Sequence, residues 1–578
     1  MPVGADFEFV GPSYEAPMVL QDAERCINWF VQVSQNGASK MPKALLATPG
    51  LNPIVSTQTG QVRGGWVLPG GQQALVVTGN TLYAVQITVP ATQTSLPQFT
   101  ATAVGTLLTN TGPVVMRDNG VLQTITGLGG YCLIVDGTYG YYFLLSGVAY
   151  KTTFSGSASI GSPVITLPGT LPNGLIISTS AVLTDNGGAV PANTVIASVD
   201  TNGLTVTMTN NAAANNFSGT FTLTVAPFGR ITDPGFLGAD RILFIEGWLL
   251  LNQPGTRTFY TTGPTPYQML FPGSYFALKD SSTDNLITLF ENNREAWLIG
   301  ERTSEVWYQA GGQNFAFQRI PGVGPQIGCS AKHSITRMAT SLIWLAQNEQ
   351  GQNIVVMTNQ YTWERVSTHA IEYAISQYPL VSDAIGYCYE EGGNIFYMLT
   401  FPTADATWVY DLSSKLWHQR ASYDPVAGQF HRHRSNCFIN FGNIRMVGDY
   451  QTGQLHQMSR SVYTDAGNPI RRVRRSPHVW SKENRERVFS GQLQIEFTPG
   501  VGLQVGQGSN PQVMIRWSDD GGFTWSNEHW VTIGAAGATK NRAIVRALSY
   551  ARDRVYEASF TDPVPADIIG ATLYAEAS

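Results

Sequence analysis

One short motif in the chain has residue types and spacing that could do chemistry. It lies in the stretch RWSDDGGFTWSNEHW, residues 516–530, and follows the S-x-D-x-G-x-T-W pattern called an Asp-box. Its members are Ser518, Asp520, Gly522, Thr524 and Trp525. The motif poses a choice between glycosidase chemistry, which depends on carboxylates, and a structural hairpin. In a hairpin the Asp accepts bonds from backbone N–H groups, the Gly adopts a positive φ and the Trp packs beneath.

The surroundings of the motif favour the structural interpretation. Asp-boxes recur in sialidases and related propeller glycosidases, where they lie on blade rims away from the catalytic centre. A sialidase is also expected to repeat the box across blades and to supply three carboxylate-binding arginines and a Tyr/Glu nucleophile pair. Here the box occurs once, outside the repeats described below. We therefore predict no catalytic residues, with a carbohydrate-active, sialidase-like propeller as the alternative.

A basic run, IRRVRRSPH, could bind an anion. Its guanidinium groups belong to Arg471, Arg472, Arg474 and Arg475. They could contact DNA phosphates, or the run could be an interdomain linker that docks on an acidic neighbour. Interleaved aromatic residues and groove-reading motifs, which would favour sequence recognition, are absent from the sequence. Both a DNA contact and a partner contact stay open.

The sequence predicts no metal or cofactor. His431 and His433 in HRHR alternate along one strand, but no third ligand lies nearby in sequence. Motifs for phosphate loops, dinucleotides, zinc hydrolases and serine hydrolases are missing. The five cysteines are widely spaced and form no C-x-x-C pair, which predicts reduced, buried thiols. These observations predict a non-enzymatic protein that makes contacts.

Composition indicates a large β-protein. A chain of 578 residues predicts two to four domains. The 59 glycines and 11% aromatic residues suit short strands joined by tight turns, and only 13% charged residues suggests that partners cover much of the surface. A net charge of −5 gives no polycationic character for gripping nucleic acid. The most apolar run, ILFIEGWLLL, is about half a membrane span, so no membrane-spanning segment is predicted.

A repeat begins near residue 60 and predicts the main domain. Apolar β-rich runs alternate with Gly, Asn and Asp turns, as in QALVVTGNTLYAV. The last five units start near residues 241, 287, 341, 384 and 436, so they are 46, 54, 43 and 52 residues apart. A period of roughly 40–50 residues built from strands predicts an all-β chain with a β-propeller of six or seven blades. A helix is predicted in STHAIEYAISQYPL, with Ser367 or Thr368 as its cap.

The predicted domains follow from breaks in this repeat. They are an N-terminal arm (1–55), a first propeller part (56–150), an inserted small β-sandwich tip domain (151–226), a second propeller part (227–460) and a C-terminal β-sandwich (461–578). The insertion contains no Trp, Tyr or Cys and alternates at period two. We expect it to lie between blades, either as a decorated loop or as a tip that meets a partner.

The N-terminal stretch AERCINWFVQVSQNGASKMPKALLATPGL, residues 23–51, resembles the opening of packaged-DNA stabilisation proteins of short-tailed bacteriophages, also called tail nozzle or tail hub proteins. That family tends to show a Cys-x-Asn-x-(Tyr/Phe) element and then an ALxxTPGL stretch. The matching residues are Cys26, Asn28, Phe30, Ala44, Leu45, Thr48, Pro49, Gly50 and Leu51. Residues 324–351 and the Asp-box stretch are also similar to this family, whereas the insertion has no clear counterpart.

The resemblance implies a structural protein of the virion tail, assembled in the host cytoplasm. The implied subunit forms a ring, a homohexamer, below the portal and adaptor rings. It would continue the channel for double-stranded DNA without sequence-specific binding, and would help to retain packaged DNA. The implied partners are the adaptor, a tail fibre or spike, and a plug or needle protein. A receptor-binding tail protein is a further hypothesis, in which the insertion binds the cell surface.

Overall fold

The structure is a computed structural model. It describes residues 4–36, 39–91, 95–120, 130–169, 181–199, 205–209, 215–262, 269, 271–312, 315–481 and 486–577. In these ranges the chain is almost entirely β, as predicted, with one α-helix, His369–Ser376. The Thr368 hydroxyl caps the helix by accepting a 3.4 Å bond from Ile371 N, and Ala370, Ile371 and Ile375 form the buried face. The predicted helix is thus confirmed.

Seven antiparallel sheets of the described chain form a β-propeller, which confirms the predicted architecture. Blade 1 contains Val62–Val67, Gln73–Thr78, Thr81–Val89 and Gln98–Thr106, and blade 2 contains Val115–Asp118, Tyr131–Val135, Gly140–Leu144 and Phe228–Arg230. Blade 3 contains Ile242–Ile245, Trp248–Asn252, Thr258–Thr261 and Phe276–Leu278, and blade 4 contains Leu286–Asn292, Glu295–Gly300, Ser304–Gln309 and Phe317–Arg319. Blade 5 contains Gly328–Cys329, Thr336–Met338, Ser341–Gln347, Asn353–Asn359 and Thr362–Arg365. Blade 6 contains Ile385–Glu391, Asn394–Phe401, Ala406–Asp411 and Leu416–Gln419.

Blade 7 closes the ring of blades with a strand from the N-terminal region. Its strands are Ser435–Phe441, Ile444–Asp449, Gln454–Ser459 and Gly50–Ser56, and the last two pair in antiparallel register. The blades approach closely at the inner strands, where a Cβ on Gly64 of blade 1 would lie 2.2 Å from the carbonyl oxygen of Val114. Only glycine permits this approach.

The insertion interrupts blade 2 and does not lie between two blades. Its strands are Tyr150–Ala158, Val164–Thr166, Ala181–Asp185, Ile196–Val199, Thr205–Met208 and Phe217–Val225. They form one antiparallel sheet, and an isolated bridge between Val182 and Val195 joins its two edges. The alternating sequence pattern fixes which face is buried but leaves open whether strands split into two sheets or curl into one. Residues 170–180, 200–204 and 210–214 of the predicted domain lie outside the described ranges.

The C-terminal β-sandwich is confirmed, and the N-terminal segment is built into it. One sheet contains Gly4–Phe7, Trp29–Val33, Lys43–Ala47, Val488–Phe497, Ala543–Arg546, Tyr550–Ala551 and Ile568–Ala577. The other contains Tyr14–Glu15, Ala23–Ile27, Arg472–Arg475, Val479–Trp480, Gln512–Ser518, His529–Thr532 and Asp553–Phe560. Residues 1–55, predicted as a separate arm, therefore supply described strands to both sandwich sheets and to blade 7.

Two short pairs of strands and one pairing between the sandwich and the propeller complete the structure. Ala421–Asp424 pairs with Gln429–Arg432, and Thr464–Asp465 pairs with Asn468–Pro469. Ile27 of the second sandwich sheet forms a parallel pair with Gln419, the last residue of blade 6. The sandwich and the propeller are consequently joined through backbone as well as side chains.

Candidate functional site at the propeller–sandwich junction

The Asp-box forms a tight turn that begins at Ser518, the last residue of strand Gln512–Ser518. Oδ1 of Asp520 accepts bonds from Phe523 N at 3.0 Å and Thr524 N at 2.9 Å, and Oδ2 accepts one from the Thr524 hydroxyl at 2.6 Å. The Ser518 hydroxyl donates to Oδ1 of Asp520 at 2.6 Å and accepts from Gly522 N at 2.7 Å. These donors, with the Ser518 and Thr524 hydroxyls foremost, hold the pKa of Asp520 well below its usual range. The carboxylate is occupied by its own turn.

The Asp-box and the arginine run meet in space. The guanidinium groups of Arg475 and Arg516 both lie over the Trp525 ring, 4.9 Å and 4.8 Å from its centroid. Both arginines bind the buried Glu557: Arg475 Nη2 donates to Oε2 at 3.0 Å and Arg516 Nε donates to Oε1 at 2.8 Å. The strands that carry Arg475 and Arg516 flank the strand that carries Glu557 in one sheet, which fixes this arrangement. Cation–π and charge-assisted contacts reinforce each other here.

Arg472 and Arg474, two of the residues considered for DNA contact, have no exposed surface. Arg474 donates to the carbonyl oxygens of Phe9 at 2.6 Å and Pro12 at 2.7 Å and pairs with Glu24. It therefore binds the N-terminal segment within the chain. The guanidinium of Arg472 makes no hydrogen bond with the described residues, and burial lowers its pKa to about 10. Neither residue can reach a polyanion while this fold is intact.

Arg475 ends the interior strand Arg472–Arg475 and Arg471 directly precedes it, and both side chains face the chain. Arg471 Nη1 donates to the Tyr423 hydroxyl at 3.0 Å, and its guanidinium lies 3.8 Å from Glu528. The side chains of Arg471 and Arg475 keep 22% and 11% of their surface exposed. Three of the four arginines, Arg471, Arg474 and Arg475, thus contact polar groups of their own chain.

Asn28 joins three parts of the molecule at this junction. Its backbone has a φ of 57°, and its buried side chain accepts a bond from Ala421 N at 2.9 Å. The same amide donates to the carbonyl oxygens of Ala421 at 2.9 Å and Arg471 at 2.8 Å. The sandwich strand, the end of blade 6 and the linker are therefore held by one side chain. The Cys-x-Asn-x-Phe element signalled Asn28 without revealing its role, whereas no sequence signal identified Glu557.

The histidines of HRHR lie apart from any metal-like cluster. His431 Nδ1 lies 2.7 Å from Asp405 Oδ2, and His433 Nδ1 lies 2.7 Å from the Ser435 hydroxyl. Among the described residues, no three His, Cys, Asp or Glu side chains are grouped to hold a metal ion. The described part of the chain also contains no helix with the length and apolar character needed to cross a membrane.

Two family models match the chain in succession. The first, described as bacteriophage P22 Gp10, beta-propeller, matches residues 176–463, and the second, described as bacteriophage P22 Gp10, beta-sandwich, matches residues 471–576. The chain belongs to the bacteriophage P22 Gp10 family of packaged-DNA stabilisation proteins. It is therefore a phage structural tail protein of the Gp10 type. The two matches together cover about two thirds of the chain and begin inside the insertion, so blade 1 and most of blade 2 lie outside them.

Other likenesses are remote. None of the curated proteins matches the chain in sequence. Among solved structures, PorZ of Porphyromonas gingivalis aligns with a TM-score of 0.33 and 8% identity over 77% of this chain, which spans only 44% of PorZ. The N-terminal domain of Nup159 aligns at 0.32 and 8% over 75% of this chain and 98% of that domain. The endosialidase of phage phi92 aligns at 0.24 and 11% over 77% of this chain and 67% of the enzyme. Scores this low carry no functional argument.

Proposed function

We propose that the chain is a subunit of a tail nozzle, a homohexameric ring below the head-to-tail adaptor. Double-stranded DNA passes through the bore of the ring without sequence-specific contacts and is retained there until ejection. The observation that carries this proposal is the consecutive match of the Gp10 propeller and sandwich models, in that order. The tail fibre or spike and the plug or needle bind the outer faces of the ring in this proposal, which places the protein in the virion tail after assembly in the host cytoplasm.

The bore belongs to the assembled ring and not to the axis of one propeller. The axial cavity of the propeller has a volume of about 230 Å³. A duplex whose major groove alone is about 12 Å wide cannot enter it. Since a net charge of −5 per subunit repels a polyanion, a bore between subunits would let DNA slide.

An exposed apolar patch on the sandwich supplies a candidate contact between subunits. The sandwich patch consists of Leu20, Trp480 and Phe523, which are 52%, 44% and 67% exposed. Leu20 and Trp480 line one cavity, and Leu20 packs against Gly521 of the Asp-box turn, where a Cβ would lie 2.4 Å from it. Burying each such side chain contributes about 1.5–3 kcal/mol. A closed ring needs a heterologous interface of this kind on each subunit.

The proposal is tested by mixing the purified chain with the adaptor of the same phage and imaging the product by negative stain. Rings of the chain stacked on adaptor rings are expected. A parallel assay with a fluorogenic sialoside addresses the carbohydrate-active alternative and should give no cleavage. A monomer that ignores the adaptor and cleaves the sialoside would overturn the proposal. Binding of the isolated insertion to host cells would favour the receptor-binding hypothesis.

A further inference from the structure

The axial cavity of the propeller is lined by all seven blades and is unusually rich in positive charge. Its charged lining residues are Arg63, Arg117 and Arg241, accompanied by His333. No Asp or Glu lies among the described residues that form the lining. Burial lowers the pKa of His333 well below its usual range, so this imidazole is neutral and the cations of the cavity are arginines.

One of the three arginines serves the fold. Arg63 is buried and donates to the carbonyl oxygens of Gly112 at 2.6 Å, Gly79 at 2.9 Å, Thr109 at 2.8 Å and Thr111 at 2.6 Å. Its Nη2 also donates to the Thr109 hydroxyl at 2.9 Å. The guanidinium is saturated by the loop between blades 1 and 2 and by the Gly79 turn of blade 1, which leaves it no donor for a ligand.

Arg117 and Arg241 keep unused donors. Arg117 stacks on Trp66 with its guanidinium carbon 4.1 Å from the ring centroid, and Nη1 donates to the carbonyl oxygen of Met116 at 3.2 Å. Arg241 directs Nε and Nη2 at the carbonyl oxygen of Lys332. Nε and Nη2 of Arg117 and Nη1 of Arg241 form no hydrogen bond with the described residues. One edge of each guanidinium is therefore held by the protein, and the nitrogens of the other edge can donate to a ligand.

Asp118 and Asp240, which neighbour Arg117 and Arg241 in sequence, form hydrogen bonds or ion pairs with other groups. Asp118 accepts from Trp66 Nε1 at 2.8 Å and from Gly120 N at 2.9 Å. Asp240 pairs with Lys332 Nζ at 2.5 Å and accepts from Asn252 Nδ2 at 2.8 Å. Burial lowers the pKa of Arg117 and lowers that of Arg241 to about 10; the charge of Asp240 opposes the shift of Arg241, and the smaller effect of Arg117 adds to it. Two like charges thus share a confined space whose described lining contains no carboxylate.

We propose that the axial cavity binds an oxyanion, of the phosphate or carboxylate class, between the open edges of Arg117 and Arg241. A guanidinium presents parallel N–H donors that match two oxygens of either anion. Charge-assisted bonds strengthen in a confined site of low dielectric, and an anion between the two guanidinium groups attracts both of them. Bound there, it ties the inner strand of blade 2 to the start of blade 3.

The site is tested by thermal unfolding of the full chain in increasing inorganic phosphate or succinate, with sodium chloride keeping the ionic strength constant. A saturable rise of about 2 °C or more is expected for the wild type. Arg117→Gln should abolish the rise, because Arg117 donates only to its own neighbour's carbonyl and should be dispensable for folding. Arg294→Gln, at an 84% exposed side chain, should leave it unchanged. A response to phosphate alone assigns the phosphate class, and a response to succinate alone assigns the carboxylate class.

Crystals soaked in sodium bromide give a second test that does not depend on a folded variant. Anomalous difference density in the axial cavity between Arg117 and Arg241 is expected. Absence of a saturable rise with both anions, an equal rise in Arg117→Gln, or a bromide-free cavity would each overturn the proposal.

Discussion

Each oxygen of the Asp520 carboxylate is occupied by donors from its own turn, which makes this residue a structural anchor. A general acid or base needs a proton it can exchange with a substrate. Asp520 instead accepts from Phe523 N, Thr524 N and the hydroxyls of Ser518 and Thr524. The sequence predicts this role because all of the donors lie within four residues of Asp520. It could not identify the contact of Trp525 with Arg475, since that depends on how distant strands pair.

Replacing Asp520 with Ala should lower the unfolding temperature at pH 7, because the turn loses its central acceptor. The depressed pKa means that the carboxylate contributes above its unfolded value near pH 4 and loses that contribution as pH falls through its folded pKa. The difference in unfolding temperature between wild type and D520A should therefore become smaller as the pH is lowered. Scanning calorimetry measures this difference. Glu349→Ala, at an exposed residue, is the matched control. If the unfolding temperatures of D520A and E349A depended on pH in the same way and had equal values, this account would be contradicted.

His478 acts as a charged clamp on the N-terminal segment. Its Nδ1 lies 2.7 Å from Asp553 Oδ1 and its Nε2 lies 2.9 Å from the carbonyl oxygen of Val19. Since both neighbours can only accept while Asp553 is ionised, both ring nitrogens carry protons. The bond to Asp553 raises the pKa of His478, and the bond to Val19 and the charge of nearby Asp22 act in the same direction. Leu20 of the sandwich patch directly follows Val19 in the chain.

The stability that His478 contributes should be lost as the pH rises. With a folded pKa above the unfolded value near 6.5, the contribution is complete below that value and is lost as pH rises through the folded pKa. The unfolding temperature of wild type relative to His478→Gln should be highest near pH 5.5 and decline towards pH 9. His369→Gln, at an exposed residue, should track the wild type throughout. A pH-independent difference for H478Q would refute the clamp.

At the scale of elements, the junction depends on contacts that local sequence patterns do not contain. The propeller was predictable because each blade is a series of hairpins with apolar runs and turn residues in a regular period. The closing strand Gly50–Ser56 was not, because its partner Gln454–Ser459 lies about 400 residues away and a single strand carries no period. The same holds for the N-terminal strands of the sandwich, which look like an arm when only neighbours in sequence are considered.

Asn28 offers a direct test of the junction. Asn28→Gly keeps the positive φ accessible but removes three hydrogen bonds, so it should destabilise the protein by about 2–4 kcal/mol. Asn443→Gly, at an exposed turn with a φ of 59°, should be close to neutral because no such network is lost. Urea unfolding measures both. Matching midpoints for the two variants would show that the side chain of Asn28 contributes little.

At the scale of the whole molecule, propeller and sandwich form one block in which the N-terminal strands serve both. Family membership was predicted from the resemblance of residues 23–51, and the two family models, which match residues 176–463 and 471–576, bear it out. The arginine run could not be assigned from sequence, since charge alone does not distinguish a phosphate contact from an intrachain ion pair.

The central claim is that this subunit closes into a ring through the sandwich patch. The direct measurement is the mass of the purified chain by light scattering. A hexamer of about 377 kDa, six times the 62.8 kDa subunit, is expected for the wild type, with or without the adaptor as template. The double variant Trp480→Ser, Phe523→Ser should stay at 62.8 kDa, whereas Val426→Ser, at a 96% exposed residue outside the patch, should still form the ring. A wild-type chain that remains at 62.8 kDa even with the adaptor present would contradict the claim.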